Sequence, residues 1–427
     1  MPHGRRPVVD WSMPKSRGRR KATSNRPVRR SPLPPRRSDL LLRDARQLTG
    51  LADPLMAETW ASGWLGQAWV AAELGEREAE HRLCVEVTGR ACTTPSPYGL
   101  AAIAALARVA PATDITMLAE TIDILTKTQP LPPWHTAMSA DTAWTATSAW
   151  RAADVWDSEQ VLLIDYDGPH PHTLMAQVLK SGGLMIDKIA ILEPGAAAQW
   201  NRLREADEVP MPISEAPVAE VLADLADALR TTDITWPRND DEDFVGNRAL
   251  AWSRCRDHLP DWSEREGLPE AERDHLVQQF ATINSLDDEV SRSLAELFLD
   301  YGEGYIVSGP LAWSPTEVML LLTDWLPRKA ILDAAQRAAL PGVLRQWLAF
   351  ALDRRGLDPR WITPVVDAVD AHLREFRQAF DDQGSWGPAK EIAAALTERG
   401  IDLTDRQAVD DAIRGLNAER LARRLLP

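Results

Sequence analysis

The chain holds 427 residues, 44% of them apolar and 26% charged, with a formal net charge of −15. At roughly 100–200 residues per domain, that length allows two or three globular modules and a large core, so neither disulfides nor metals are needed to hold the chain together. Composition excludes collagen, mucin-like stalks and wholesale disorder. The longest apolar stretches, such as Gly99–Ala107, fall far short of the roughly 20 residues that cross a bilayer.

The charge is unevenly spread. Residues 1–38 hold 12 basic residues and one acid, Asp10, so this segment carries +11. The remaining 36 basic and 62 acidic residues give the body −26. Phosphates are repelled by such a body, which argues against a broad nucleic-acid or anionic-membrane surface. Nucleic acid is left with weak, salt-dependent binding through the tail alone. Arginine outnumbers lysine 41 to 7, a bias that fits a GC-rich genome better than a functional demand. Cys84, Cys92 and Cys255 form no CxxC pair and are odd in number, so reduced structural thiols and a cytosolic setting are expected.

In chain order, the opening has seven prolines, many arginines and few large apolar residues. Residues 1–38 read as a disordered tail, because they bury too little to offset chain entropy. Met13 is an alternative start. A first helical module spans 39–138. In it Asp53-Pro54 reads as an N-cap with proline at the first helical position. Trp60 and Trp64 share a face at a spacing of four, and 97–110 and 113–127 read as helices.

The pattern changes in 139–195. Gln160–Asp167, Thr173–Leu179 and Leu184–Leu192 are short apolar runs separated by Gly168-Pro169 and Ser181-Gly182-Gly183. Turns this short permit only antiparallel pairing, so a small meander is predicted, with Ala149–Trp156 as a fourth strand. Trp144, Trp150 and Trp156, three of 17 tryptophans, recur at spacings of six and are expected on one strand face.

Helices return in 196–312, packed on the sheet, and continue through a C-terminal module at 313–427. Val218, Val221, Leu222, Leu225 and Leu229 form a stripe within a helix expected over 215–229. Ser314-Pro-Thr-Glu317 has the order of a capping box. Ile362, Val366, Val369, Leu373, Phe376 and Phe380 form a narrow packing seam, and a last helix is expected from Thr404. The fold class is therefore mainly α with a small antiparallel β meander (α+β), in two or three helical modules.

The sharpest local feature is Asp165-Tyr-Asp167-Gly-Pro-His170-Pro-His172 at the end of an apolar strand. Residues i and i+2 of an extended chain point the same way, so Asp165 with Asp167, and His170 with His172, are candidate ligands for a divalent metal. The simpler reading is a hairpin turn in which an aspartate caps backbone donors and the histidines lie on a loop. Asp300-Tyr-Gly302-Glu-Gly-Tyr305 follows a helix instead of preceding one, so Gly302 is expected as a helix C-cap and not in a phosphate loop. Asn239–Asp243 lacks the alternating ligands and central glycine of a calcium loop and reads as an acidic helix start. No Ser-His-Asp set, P-loop or dinucleotide fingerprint occurs.

The run around Asp165 resembles the first motif of haloacid-dehalogenase-type phosphatases, which implies Asp165 as nucleophile and Asp167 as general acid. Pro169 stands where that motif has threonine, and hairpin strands follow where the family has helices. The stretches LLIDYDGPHPHTL, SLAELFLDYGEGY, DWLPRKAILDAAQRAALPGVLRQW and LNAERLARRLL resemble an uncharacterised protein family of GC-rich actinobacteria. That resemblance implies a source and a compartment, and no activity. The residues favour a cytosolic, non-catalytic interaction or regulatory protein with an unknown protein partner, no cofactor and no membrane association. The alternative is a metal-dependent hydrolase using Asp165, Asp167, His170 and His172.

Overall fold

The computed structural model describes residues 36–137, 144–205, 208–263, 265–286, 288–382, 384, 386, 387, 390, 396 and 399. The basic segment up to residue 35 and the helix expected from Thr404 lie outside them. The described chain is mainly helical with one antiparallel sheet, as the periodicities imply.

Six helices come first: α1 (Arg37–Asp44), α2 (Pro54–Val70), α3 (Ala79–Thr93), α4 (Pro97–Val109), α5 (Ala112–Leu125) and α6 (Pro133–Ala137). Their starts follow side-chain chemistry. The Asp53 carboxylate accepts from Leu55 N at 2.9 Å with Pro54 in the first turn, and Ser96 accepts from Gly99 N at 3.2 Å ahead of Pro97. Trp60 and Trp64 do share a face, both indoles donating to Asp44 Oδ2 at 2.7 and 3.2 Å. Ser38 is buried and donates to Glu86 at 3.0 Å, so the folded body includes residues 37 and 38.

The sheet comprises β1 (Thr145–Ala153), β2 (Glu159–Asp167), β3 (His172–Leu179) and β4 (Met185–Leu192), then α7 (Ala196–Leu203) and β5 (Ile213–Ala216). Strand order is β4-β3-β2-β1-β5, every pair antiparallel. The meander is as predicted, with Leu163 opposite Met175 and Ala176 opposite Ile189. Two details differ. The first strand lies four residues earlier than its expected start and ends before Trp156, and β5 takes Glu215 and Ala216 from the helix expected over 215–229. Ala149 offers a free edge to Ala216, and Pro217 stops the strand.

The tryptophan expectation also needs correction. A register shift between Ala146 and Ser148 inserts one extra residue, which reverses the side-chain phase. Trp144 consequently packs toward the main core and Trp150 toward the opposite face, while Trp156 lies beyond the strand and enters a third cluster.

Helices α8 (Val218–Ile234) and α9 (Glu242–Cys255) cover the sheet face formed by Leu162, Ile164, Leu174 and Ala176, and α2 and α4 pack on α9 within the same core. Helix α2 crosses α9 at close range. Gly66 makes it possible, because a Cβ there would overlap the Val245 carbonyl oxygen. Beside it, Ser62 Oγ accepts from Leu250 N at 3.0 Å. The other sheet face carries a small cluster with Val161, Leu163, Trp200 and Met211.

Helices α10 (Glu270–Asn284), α11 (Glu289–Tyr305), α12 (Pro315–Leu320), α13 (Leu326–Lys329), α14 (Ala334–Arg354) and α15 (Pro359–Asp381) enclose a separate core around Phe298, Trp313 and Trp347. The α15 seam is buried at Val369, Phe376 and Phe380, and it is widened by Val365 and Ala368. Two sequence readings change here. Helix α11 runs through Tyr305, so Gly302 is no C-cap; a Cβ there would overlap the Pro310 carbonyl oxygen, and close packing explains the glycine. Ser314 caps α12 as expected, accepting from Glu317 N at 3.2 Å. Glu317, however, does not reach back to complete a box. It is buried and accepts from Tyr301 Oη at 2.6 Å and Gly182 N at 3.0 Å, tying the β3–β4 turn to this core.

Candidate functional site

The four residues singled out as metal ligands do not come together. Tyr166 stands opposite His172 in the β2–β3 ladder, so those two side chains share a face, and Asp165 and Asp167 point to the other. Asp165 accepts a short hydrogen bond from Thr173 Oγ1 across the strands. Asp167 is exposed and accepts from Gly168 N at 2.8 Å, which is the turn-capping role. His170 is half-exposed and its Nδ1 lies 3.2 Å from Asp53 Oδ2, at the start of α2. His172 is buried, with Nδ1–H donating to the His170 carbonyl at 3.0 Å. Burial pulls its imidazole below the ordinary value, which keeps it neutral. Among the described residues no group of three His, Cys, Asp or Glu side chains is placed to hold a metal ion. The antiparallel return through β3 also differs from the strand-to-helix context that the phosphatase motif requires.

Behind His172 lies a buried charge network that no local pattern announced. The Tyr166 ring stacks on His172 at 5.3 Å, and Trp144 meets it edge-on at 5.0 Å. Glu58 of α2, fully buried, accepts from Trp144 Nε1 at 2.8 Å, Arg108 Nε at 2.9 Å and Arg254 Nη2 at 2.5 Å. Burial alone would raise the Glu58 carboxyl, but Arg254 and Arg108 outweigh it and hold the group below its ordinary value. This network braces the start of α2 against the end of α9.

The open site lies at the other ends of the same two helices. A cleft of about 390 Å³ separates the α2–α3 connection from the α8–α9 connection. Its floor is Trp69, with the guanidinium of Arg238 at 4.7 Å and that of Arg248 at 4.6 Å from the ring centre. Arg248, 5% exposed, is fixed by Asp233 at 2.7 and 2.6 Å and by Glu80 at 3.0 Å, and Trp252 Nε1 donates to Asp233 at 2.9 Å. Burial, reinforced by Asp233 on the same guanidinium, raises the Glu80 carboxyl against the pull of Arg248. Arg238 spends its hydrogen bonds on the carbonyls of Trp69 and Glu76. The next residue, Asn239, anchors this connection to β4 through the Ile186 and Asp187 carbonyls, both at 2.8 Å.

The rim is apolar. Leu74, Ile234 and Trp236 are 73%, 69% and 50% exposed, and all three line the cleft. Asp241 caps α9, accepting from Asp243 N at 3.0 Å and Phe244 N at 3.1 Å, so the 239–243 run is the helix start read from the sequence. No helix among the described residues is long and apolar enough to cross a membrane. Comparison with family models, with curated proteins and with solved structures gives no match.

Proposed function

We propose that this is a non-catalytic interaction protein of the cytosol, and that it engages its partner through the cleft between the α2–α3 and α8–α9 connections. The rim carries the proposal. Three large apolar side chains stand exposed around one concavity floored by Trp69 and its two guanidiniums, and exposed apolar patches rimmed by polar groups mark interaction sites. An aromatic anchor such as Trp236 is the residue type that dominates binding energy at such sites. The free thiols of Cys84, Cys92 and Cys255 support the cytosolic setting.

The test is site-specific photocrosslinking in the producing cell, with the reactive side chain at Ile234 or, as control, at the equally exposed Ile283 of α10. A discrete adduct is expected from position 234 and none from 283. The purified adduct partner should then bind the Trp236→Ala protein about tenfold or more weakly than wild type. Equal binding to wild type and Trp236→Ala would overturn the proposal.

A further inference from the structure

We infer that the segment seated in this cleft is cationic as well as apolar, a basic amphipathic stretch of a partner protein. The inference rests on the cleft being the interaction site and adds the chemistry of its occupant. Charge is the first argument. The surface flanking the cleft presents Glu73, Glu78 and Asp240 on the two connections, and Glu242 and Asp243 in the first turn of α9, against exposed Arg77 and, in α3, Arg82. Arg82 is already paired with Glu76. The inner cations are committed too, Arg248 to Asp233 and Glu80, and Arg238 to two carbonyls. Inside the cleft Glu76, Glu80 and Asp233 balance Arg77, Arg238 and Arg248, so the negative excess that an approaching ligand meets lies on the flanks, and the body's own charge adds the same sign at longer range. Such a field attracts cationic segments and repels acidic ones.

The aromatic groups supply the second argument. Trp69 already takes a guanidinium at 4.7 Å and another at 4.6 Å, and Arg238 lies 6.0 Å from the Trp236 ring centre. The half-exposed indole of Trp236 keeps π surface open to solvent, and an arginine or lysine of the partner can settle on it in the same manner. Leu74 and Ile234 then take the apolar side chains between the cations, which separates this occupant from a purely electrostatic one.

Three labelled synthetic peptides of about twelve residues, alternating Arg–Leu, Arg–Gly and Glu–Leu, test the inference by fluorescence anisotropy with the full-length protein. The Arg–Leu peptide should bind best, with Arg–Gly about tenfold or more weaker. Trp236→Ala should lower Arg–Leu affinity by about tenfold or more. Neutralising the flanking acids with Glu73→Gln, Glu78→Gln, Asp240→Asn and Glu242→Gln together should do the same at about 0.1 M salt and far less at about 1 M. All of these positions are exposed, and circular dichroism checks that the variants fold. Arg–Leu binding that ignores both Trp236→Ala and the neutralised flanks would overturn the inference, since the peptide would then be coating the acidic body. A Glu–Leu peptide that binds as tightly as Arg–Leu would also overturn it. If that Glu–Leu binding were lost in Trp236→Ala, the cleft would stand as the interaction site and only the charge of its occupant would fall.

Discussion

Removing Glu58 should destabilise the protein by about 3–5 kcal/mol, the range for breaking a buried ion pair from one side. The structure decides where in the network that loss arises. Glu58 has no exposed surface and serves three donors, Trp144, Arg108 and Arg254. The Arg108 side chain is 33% exposed and can regain water, but that of Arg254 is only 6% exposed. Glu58→Ala therefore leaves one guanidinium charged, desolvated and without an acid. A hydrogen bond to a charged group is worth about 1.5–3 kcal/mol, so the bond to Arg254 and the bond to Trp144 together reach the stated range.

Guanidinium denaturation provides the readout. Glu58→Ala should shift the midpoint sharply, whereas Glu58→Met combined with Arg254→Met should recover more than half of the loss, because the stranded charge goes with its partner. The pH dependence has a definite sign. Arg254 and Arg108 hold the folded carboxyl below its unfolded value of about 4.3. Its contribution is thus complete above that value and is lost as pH falls through the folded pKa. Wild type should lose more stability on acidification than Glu58→Ala does. A single variant within about 0.5 kcal/mol of wild type, or a double variant no better than the single, would refute the reasoning.

Three further outcomes are expected. Phe376→Ala, at a 3% exposed position 5.4 Å from Phe380, should cost about 3–5 kcal/mol through lost burial and cavity formation, and an unchanged denaturation midpoint would contradict the packing of α15. Gly302→Ala should cost about 1–3 kcal/mol by overpacking against Pro310, while Gly304→Ala, with nothing within 4 Å, should be neutral or slightly stabilising; equal thermal shifts for the two would reject the close-approach account. His170→Ala should change stability by no more than about 0.5 kcal/mol, and metal analysis of the purified protein should find no stoichiometric metal. Stoichiometric zinc or manganese lost in that variant would restore the metal reading.

The elements legible in the sequence are those whose cause is local. Apolar runs between glycine turns located β2, β3 and β4, because short turns allow a single pairing direction. Asp53-Pro54 and Ser314-Pro315 located two helix starts, because capping involves neighbours in the chain. What the sequence hid depends on distant partners. Strand β5 exists because β1 has an open edge, and nothing in Ile213–Ala216 separates it from a helix beginning at Glu215. The bulge at Thr147 breaks an even tryptophan spacing without any turn residue to announce it. Position 302 is a glycine because the Pro310 carbonyl folds back on it from the loop after α11. The same rule explains the sites: Asp165, Asp167, His170 and His172 were conspicuous because they are contiguous, and the sheet then divides them between two faces. The cleft gathers Trp69, Glu80, Asp233, Arg238 and Arg248 from separate helices and connections. One signal was available in the sequence. Leu74 and Trp236 are large apolar residues set in polar connections, where no periodicity gives them a core to join.

The brace and the cleft are two ends of one object. Helix α2 carries Glu58 and Trp69, and α9 carries Arg254 and Arg248, so the two helices are joined by charge at one end and by stacked guanidinium and indole at the other. Between these points Gly66 brings the backbones together, and Ser62 satisfies Leu250 N. Under the proposed function, a floor braced in this way needs little ordering when a partner docks, so less entropy is charged against binding. The consequence is a division of labour along the cleft. Arg248 belongs to the brace, and replacing it would disturb the fold and the site together. Trp236 and Leu74 stand outside the brace, so truncating them removes exposed apolar surface and leaves the α2–α9 crossing intact.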